Sequence, residues 1–133
     1  MKRIIACLFF LFFFLLDTQS VSAQTLQRIY KEKTFTQINY SETIPIYKRE
    51  VFAGGKGFQT RINYYFSKDT SSEILSLTLQ NLKMVFSNDS SFCEWLDIYF
   101  QSDTELLRYD NYEKIYFLNK IYLISKNNPI KTN

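Results

Sequence analysis

The 133-residue chain predicts an α+β fold, with antiparallel strands and a hairpin in its N-terminal half followed by two or three helices packing on them. Three observations carry that expectation. From Gln24 to about Ser67 the segments are rich in Tyr, Phe, Ile and Thr and bounded by turn formers, and no helical stripe persists. From Thr70 onward apolar residues recur three and four positions apart. Ala53-Gly54-Gly55-Lys56-Gly57 separates two apolar segments and supplies glycines for a tight reversal.

Before either half comes a leader. Lys2 and Arg3 give a positive start, Ile4 to Leu16 are thirteen apolar residues in a row, and Val21-Ser22-Ala23 offers a small-residue cleavage site. Residues 1–23 therefore read as a cleavable signal peptide and residues 24–133 as a single small domain beginning at Gln24, periplasmic or secreted. A membrane-spanning helix needs about 20 apolar residues, whereas Asp17 ends this run early, so no stable membrane span is expected after cleavage. Cys7 lies too near the start of the run to accept a lipid and leaves with the leader. Cys93 then stands alone, and one thiol cannot close an intramolecular disulfide. A domain of about 110 residues can rest on an apolar core without such staples.

The clearest strand is Arg61 to Phe66, where Ile62, Tyr64 and Phe66 point one way and Arg61, Asn63 and Tyr65 the other. Phe52 ends the segment before the glycine loop and Phe58 begins the one after it. Ile44 to Tyr47 reads as an earlier strand that Pro45 confines to an edge. Gln24 to Tyr40 gives no firm pattern. In the second half, Thr70 with Glu73 forms a capping box that opens a helix carrying Leu75, Leu79, Leu82 and Phe86 on one stripe. Ser87 to Ser90 breaks it. Ser91 with Glu94 repeats the box ahead of Phe92, Trp95, Leu96, Tyr99 and Phe100, the strongest helical face in the chain. Ser102 with Glu105 opens a final segment running to about Ser125. Within it, Ile115 to Ile124 is dense enough in β-branched and aromatic residues to suit a strand. Helix is preferred because Phe117, Leu118, Ile121 and Ile124 share a face opposite Lys114, Asn119 and Lys120. Asn127 to Asn133 is expected to fray.

Within this half Asn81-Leu82-Lys83 with Phe86, Leu96-Asp97 with Phe100, Asp103 with Glu105-Leu106, and Tyr109-Asp110 occur in order. Taken together they resemble the C-terminal part of uncharacterised small exported proteins of Gram-negative bacteria, over roughly residues 79–122. Histidine is common in that group where this chain has Cys93 and Glu113. The resemblance implies a bacterial envelope or secreted setting and helices in this half, and it implies no activity, cofactor or catalytic residue.

The chain has no histidine, which removes the usual general base near neutral pH, the Ser-His-Asp and Cys-His arrangements and histidine-ligated zinc. No catalytic, cofactor-binding or metal-binding residue is assigned. Three carboxylate pairs remain for acid–base work: Glu94 with Asp97, Asp103 with Glu105, and Asp110 with Glu113. Such pairs on helical segments normally serve as solvated faces or as caps. Gly54 to Gly57 is a poor phosphate loop, since no Ser or Thr follows Lys56 and a strand, not a helix, comes next. Asn39-Tyr40-Ser41 and Asn88-Asp89-Ser90 match the glycosylation triplet.

Without Lys2, Arg3 and Asp17 the chain carries 14 basic and 12 acidic residues dispersed along its length, a poor basis for nucleic-acid binding. Ten tyrosines are left to explain. The expectation is a non-catalytic exported protein that binds a protein or glycan of the envelope or extracellular space with those side chains. A small carboxylate-dependent hydrolase using Glu94, Asp97 and Asp110 is the alternative. Cys93 reads as a partly buried structural thiol, with a disulfide-linked dimer as its rival role.

Overall fold

The computed structural model describes residues 26–55, 57 and 59–130. The expected leader, the start at Gln24, Cys7, Lys56, Phe58 and the last three residues of the tail lie outside the described residues. Seven strands and three α-helices follow one another: β1 Gln27–Tyr30, β2 Lys33–Gln37, β3 Ile46–Ala53, β4 Gln59–Phe66, β5 Leu75–Ser76, α1 Leu79–Val85, α2 Ser90–Tyr99, β6 Tyr109–Asp110, β7 Ile115–Tyr116 and α3 Phe117–Asn127. A 3-10 helix, Asp103–Leu107, joins α2 to β6. The architecture is α+β, a five-stranded antiparallel sheet in simple β1-β2-β3-β4-β5 order with the helices after it.

β3 and β4 pair over eight residues, from Ile46 opposite Phe66 to Ala53 opposite Gln59. Their loop is the glycine hairpin read from the sequence, and Gly57 adopts φ +143°, a backbone region that a side chain would disfavour. Their neighbours are shorter. β2 meets β3 only at Lys48 and Tyr47, and β5 meets β4 only at Tyr65 and Phe66. The outer half of the hairpin is therefore a two-stranded arm.

Pro45 does not confine its strand to an edge. It is buried immediately before β3, which starts at Ile46 and lies in the middle of the sheet between β2 and β4. Standing outside the ladder, the proline removes no strand hydrogen bond, and its carbonyl accepts from the Ser67 N–H at 3.2 Å. The uncertain region before it is a hairpin, β1 with β2, turning at Lys31 and Glu32 with φ +48° and +61°.

Thr70 and Glu73 do not open a helix. Asp69 draws the N–H groups of Ser71 and Ser72 to its carboxylate at 2.8 Å each, and Arg28 takes the Ser72 carbonyl, so the groups that would start a helical turn are engaged elsewhere. Leu75 lies in β5 and the helix begins at Leu79. Thr78 is its cap, accepting from the Asn81 N–H at 3.1 Å, and Asp103 accepts from the Leu79 N–H at 2.8 Å. The second cap is Asp89, not Ser91: Asp89 accepts from the Phe92 N–H, while Ser91 is buried inside α2 and accepts from the Ile130 N–H. Ser102 with Glu105 does not form the box. The Glu105 carboxylate takes the Gln101 N–H at 2.7 Å, but the Ser102 hydroxyl turns to Thr104. One turn of 3-10 helix results, and the small β6–β7 hairpin intervenes before α3. Ile115 to Ile124 thus splits, two residues of strand and the rest helix. The tail from Asn127 is held as far as Ile130 by that bond to Ser91 and by the Trp95 indole N–H, which donates to the Asn128 carbonyl at 3.3 Å.

The main core lies between sheet and helices. Ile46 and Phe66 enter it from the sheet, Leu82 and Phe86 from α1, Phe92, Leu96 and Phe100 from α2, Leu106 from the 3-10 helix, and Leu118 and Ile121 from α3. Phe86, Phe92 and Tyr122 meet edge-on or tilted at 5.0–5.6 Å between centroids, the geometry that aromatic quadrupoles favour. A smaller cluster of Phe35, Tyr47 and Ile74 lies on the opposite face of the sheet, with Tyr30 and Tyr65 packed against it.

Asn119 does not lie on the polar side of its helix. It is 1% exposed, and its carboxamide accepts from the Ile44 N–H at 2.7 Å and donates to the Ile44 carbonyl at 3.0 Å. Asn39, also buried, donates to that carbonyl at 2.8 Å and accepts from the Ile46 N–H at 2.6 Å. Its amide nitrogen is thereby committed, which leaves the Asn39 triplet unsuited to modification in the folded protein. Asn119→Leu is expected to cost about 2–4 kcal/mol, the sum of an unsatisfied buried N–H and a lost bond to the carbonyl. Urea unfolding of the variant beside the parent measures it.

Candidate functional site

Register assigns every strand side chain to a face. Arg28 is opposite Phe35, Tyr30 opposite Lys33, Gln37 opposite Tyr47, Arg49 opposite Asn63, Val51 opposite Arg61 and Tyr65 opposite Ser76. Directly opposed residues of a ladder project to the same side, so Arg28, Lys33, Arg49 and Arg61 all project away from the helices. The helix-facing set includes Ile46, Lys48, Glu50 and Phe66. Four of the five cations of the five-stranded sheet thus share one face, and its single acid, Glu50, is on the other with Lys48.

The segment 67–74 folds over part of this cationic face. Arg28 is its clasp, donating to the Tyr47 hydroxyl and the Ser67 hydroxyl at 3.3 Å each and to the Ser72 carbonyl. Its guanidinium also stands 5.9 Å and 6.0 Å from the ring centres of Tyr30 and Tyr47. Ile74 then fills the space beside Phe35 and Tyr47. Arg28 is satisfied by neutral oxygens and rings and pairs with no described carboxylate.

An open groove of about 320 Å³ remains next to this clasp, lined among others by Tyr30, Lys31, Lys33, Arg49, Glu73 and Ser76. At one end the Tyr30 hydroxyl donates to the Glu73 carboxylate at 3.1 Å and the Lys31 ammonium donates to the same oxygen at 3.2 Å. Hydrogen bonding with Tyr30 and then Glu73 holds the lysine above its usual pKa, and bonding first to Lys31 and then Tyr30 holds Glu73 below its own. Glu73 is thereby spent on Lys31. Lys33 and Arg49 have no carboxylate partner among the described residues, and Arg49 stands 6.0 Å from the Phe35 ring centre. The groove carries an uncompensated positive charge.

The carboxylates singled out in the sequence do other work. Asp97 pairs with Lys83 of α1, and Glu94 stays half-exposed on α2. Asp103 and Glu105 accept the backbone N–H groups described above. Asp110 accepts from the N–H groups of Tyr112 and Glu113 at 3.0 Å and from Lys120 at 2.9 Å, and Lys120 also reaches Glu113 at 2.8 Å. Only the Asp110–Glu113 pair shares a partner, and that partner is a cation which stabilises both charges. Among the described residues no group of three acids or cysteines is placed to hold a metal ion, and no helix is long and apolar enough to cross a membrane.

The Cys93 thiol is half-buried and points at the carbonyls of Phe86, 3.5 Å away, and Lys83, 3.9 Å away. Burial, with Asp89 adding to it, pushes its pKa above the usual thiol value. Of the exposed tyrosines, Tyr40 lies in the β2–β3 connection, Tyr99 at the end of α2, and Tyr109 and Tyr112 on the β6–β7 hairpin. The basic face was missed because only register across strands brings Lys33, Arg49 and Arg61 together. Its one sequence signal is the shared parity of Arg49 with Tyr47 and of Arg61 with Tyr65. Comparison with known proteins finds no matching family model, no matching curated protein and no matching solved structure.

The tied carboxylates set an acid limit on stability. Hydrogen bonds from Lys120 first, then from backbone, lower the Asp110 pKa from 3.8 to about 2, and those from Ser72 and Ser71 lower Asp69 further. A carboxyl depressed on folding contributes fully above its unfolded pKa and loses that contribution as pH falls through its folded value. Stability is expected to fall between pH 4 and 2, and Asp110→Asn is expected to flatten that slope. Thermal unfolding of both proteins across the acid range checks the sign.

Proposed function

We propose that this chain is an exported, non-catalytic binding protein of the cell envelope or extracellular space, and that it holds its partner on the cationic face of its sheet. The observation that carries the reading is the uneven distribution of charge over the five-stranded sheet: Arg28, Lys33, Arg49 and Arg61 on one side, and Lys48 beside Glu50 on the other. A near-neutral chain with 46% apolar residues gains nothing in folding from gathering like charges. It gains an attractive field for a negatively charged partner. The leader pattern at 1–23 supports export, the resemblance over residues 79–122 supports a bacterial setting, and the commitment of Asp97 and Asp110 to lysines favours binding over carboxylate chemistry.

A photoreactive residue placed at Lys33, in the full-length protein made in its native cell, is expected to crosslink a partner outside the cytoplasm. The same label at Lys48, one strand away on the helix-facing side, is expected to give none. N-terminal sequencing of the recovered protein should read from Gln24. Equal labelling from both positions, or a protein that keeps Met1 and stays in the lipid fraction, overturns the reading.

A further inference from the structure

Resting on that reading, we infer that the groove beside the Arg28 clasp binds an acidic glycan, a chain bearing hexuronate carboxylates. Two features of the groove select this ligand class. Lys33 and Arg49 supply cations without a carboxylate partner among the described residues, and Arg49 can take a carboxylate through two parallel N–H bonds. The walls also offer neutral polar groups that suit sugar hydroxyls, the Ser76 hydroxyl and the Tyr30 oxygen, which can still accept while its proton is given to Glu73. A volume of about 320 Å³ is the size of one or two sugar rings and lies at the low end for small-ligand sites.

The same geometry disfavours the other polyanions. An acidic peptide gains most of its affinity by driving an apolar anchor into an empty pocket. Here the apolar space is already filled from within, with Phe35 4%, Tyr47 1% and Ile74 6% exposed. Single-stranded nucleic acid needs ring faces open for base stacking. Phe35 and Tyr47 are closed to it, and Tyr65 meets the Phe35 ring edge-on at 5.0 Å. A pyranose asks for neither, since its recognition here rests on its equatorial hydroxyls and its carboxylate.

The test uses the purified protein and four probes: a hexagalacturonate, a neutral glucose hexamer of the same length, a hexaglutamate and a deoxythymidine hexamer. Titration calorimetry at low and moderate salt reads each affinity. Hexagalacturonate is expected to bind most tightly and to weaken with added salt. Lys33→Gln with Arg49→Gln should weaken it by about tenfold or more, as expected for losing charge-assisted hydrogen bonds. Lys48→Gln removes the same charge from the other side and should change it by less than about twofold. Near-UV circular dichroism confirms that the variants keep the parent's packing, and Lys33→Arg, retaining charge at an exposed position, should hold affinity near the parent's.

If hexaglutamate or the oligonucleotide binds more tightly and Lys33→Gln with Arg49→Gln abolishes that binding, the glycan assignment is wrong while the binding face stands. If the uronate binds and the paired variant leaves its affinity unchanged, or if none of the charged probes binds, both the assignment and the face are overturned.

Discussion

The fold turns on one carboxamide. Between β2 and β3 the chain leaves the ladder at Asn39 and re-enters it at Ile46, and in that interval Ile44 is fully buried with a backbone that no strand can satisfy. Asn119 of α3 meets both its N–H and its carbonyl, doing for one residue what a neighbouring strand would do. The apolar core supplies most of the cohesion between sheet and helices, but oily contacts are non-directional. The polar link is directional, and it fixes where along the sheet α3 must lie. Asn39 extends it to Ile46, so the start of β3 and the depth of the last helix are set by the same small network.

From that registration follows the asymmetry of the sheet. Once the helices cover the face of Ile46 and Phe66, strand parity leaves Tyr47 and Arg49 facing the other way. A bare aromatic cluster there would be open to water. Instead the segment 67–74 closes over it, and Arg28 holds the segment down with neutral acceptors. Because the clasp takes no acid, the face keeps its charge, and the groove at its margin keeps two cations whose desolvation a ligand carboxylate would offset.

Much of this was legible in the residues and some was not. The β3–β4 hairpin, strand Arg61 to Phe66 and the α2 face announce themselves through glycine spacing and clean periodicity. The β1–β2 hairpin did not, because its two left-handed turn positions are Lys31 and Glu32 where asparagine and glycine would be the usual signal. Leu75, Leu79 and Leu82 mimicked a helical stripe, since a short strand followed by a helix can place its leucines into one core at helical intervals. The alternation of Leu75, Leu77 and Leu79 was the contrary sign. Pro45 misled because a proline just ahead of a strand costs that strand nothing. The cationic groove was out of reach for a different reason: charges dispersed in sequence are gathered only when four strands align.

The two-stranded arm of the β3–β4 hairpin has its own dynamic consequence. Beyond Arg49 and before Tyr64 each strand has one neighbour, and Phe52, on the same side of the strand as Ile46, is 77% exposed. An isolated ribbon of this length holds little free energy of its own. Its amides are therefore expected to trade hydrogen with solvent through small local openings, and those of Tyr47 and Phe66 only when the whole molecule unfolds. One continuous pair of strands would thus be slow at its root and faster along residues 50–53 and 59–63.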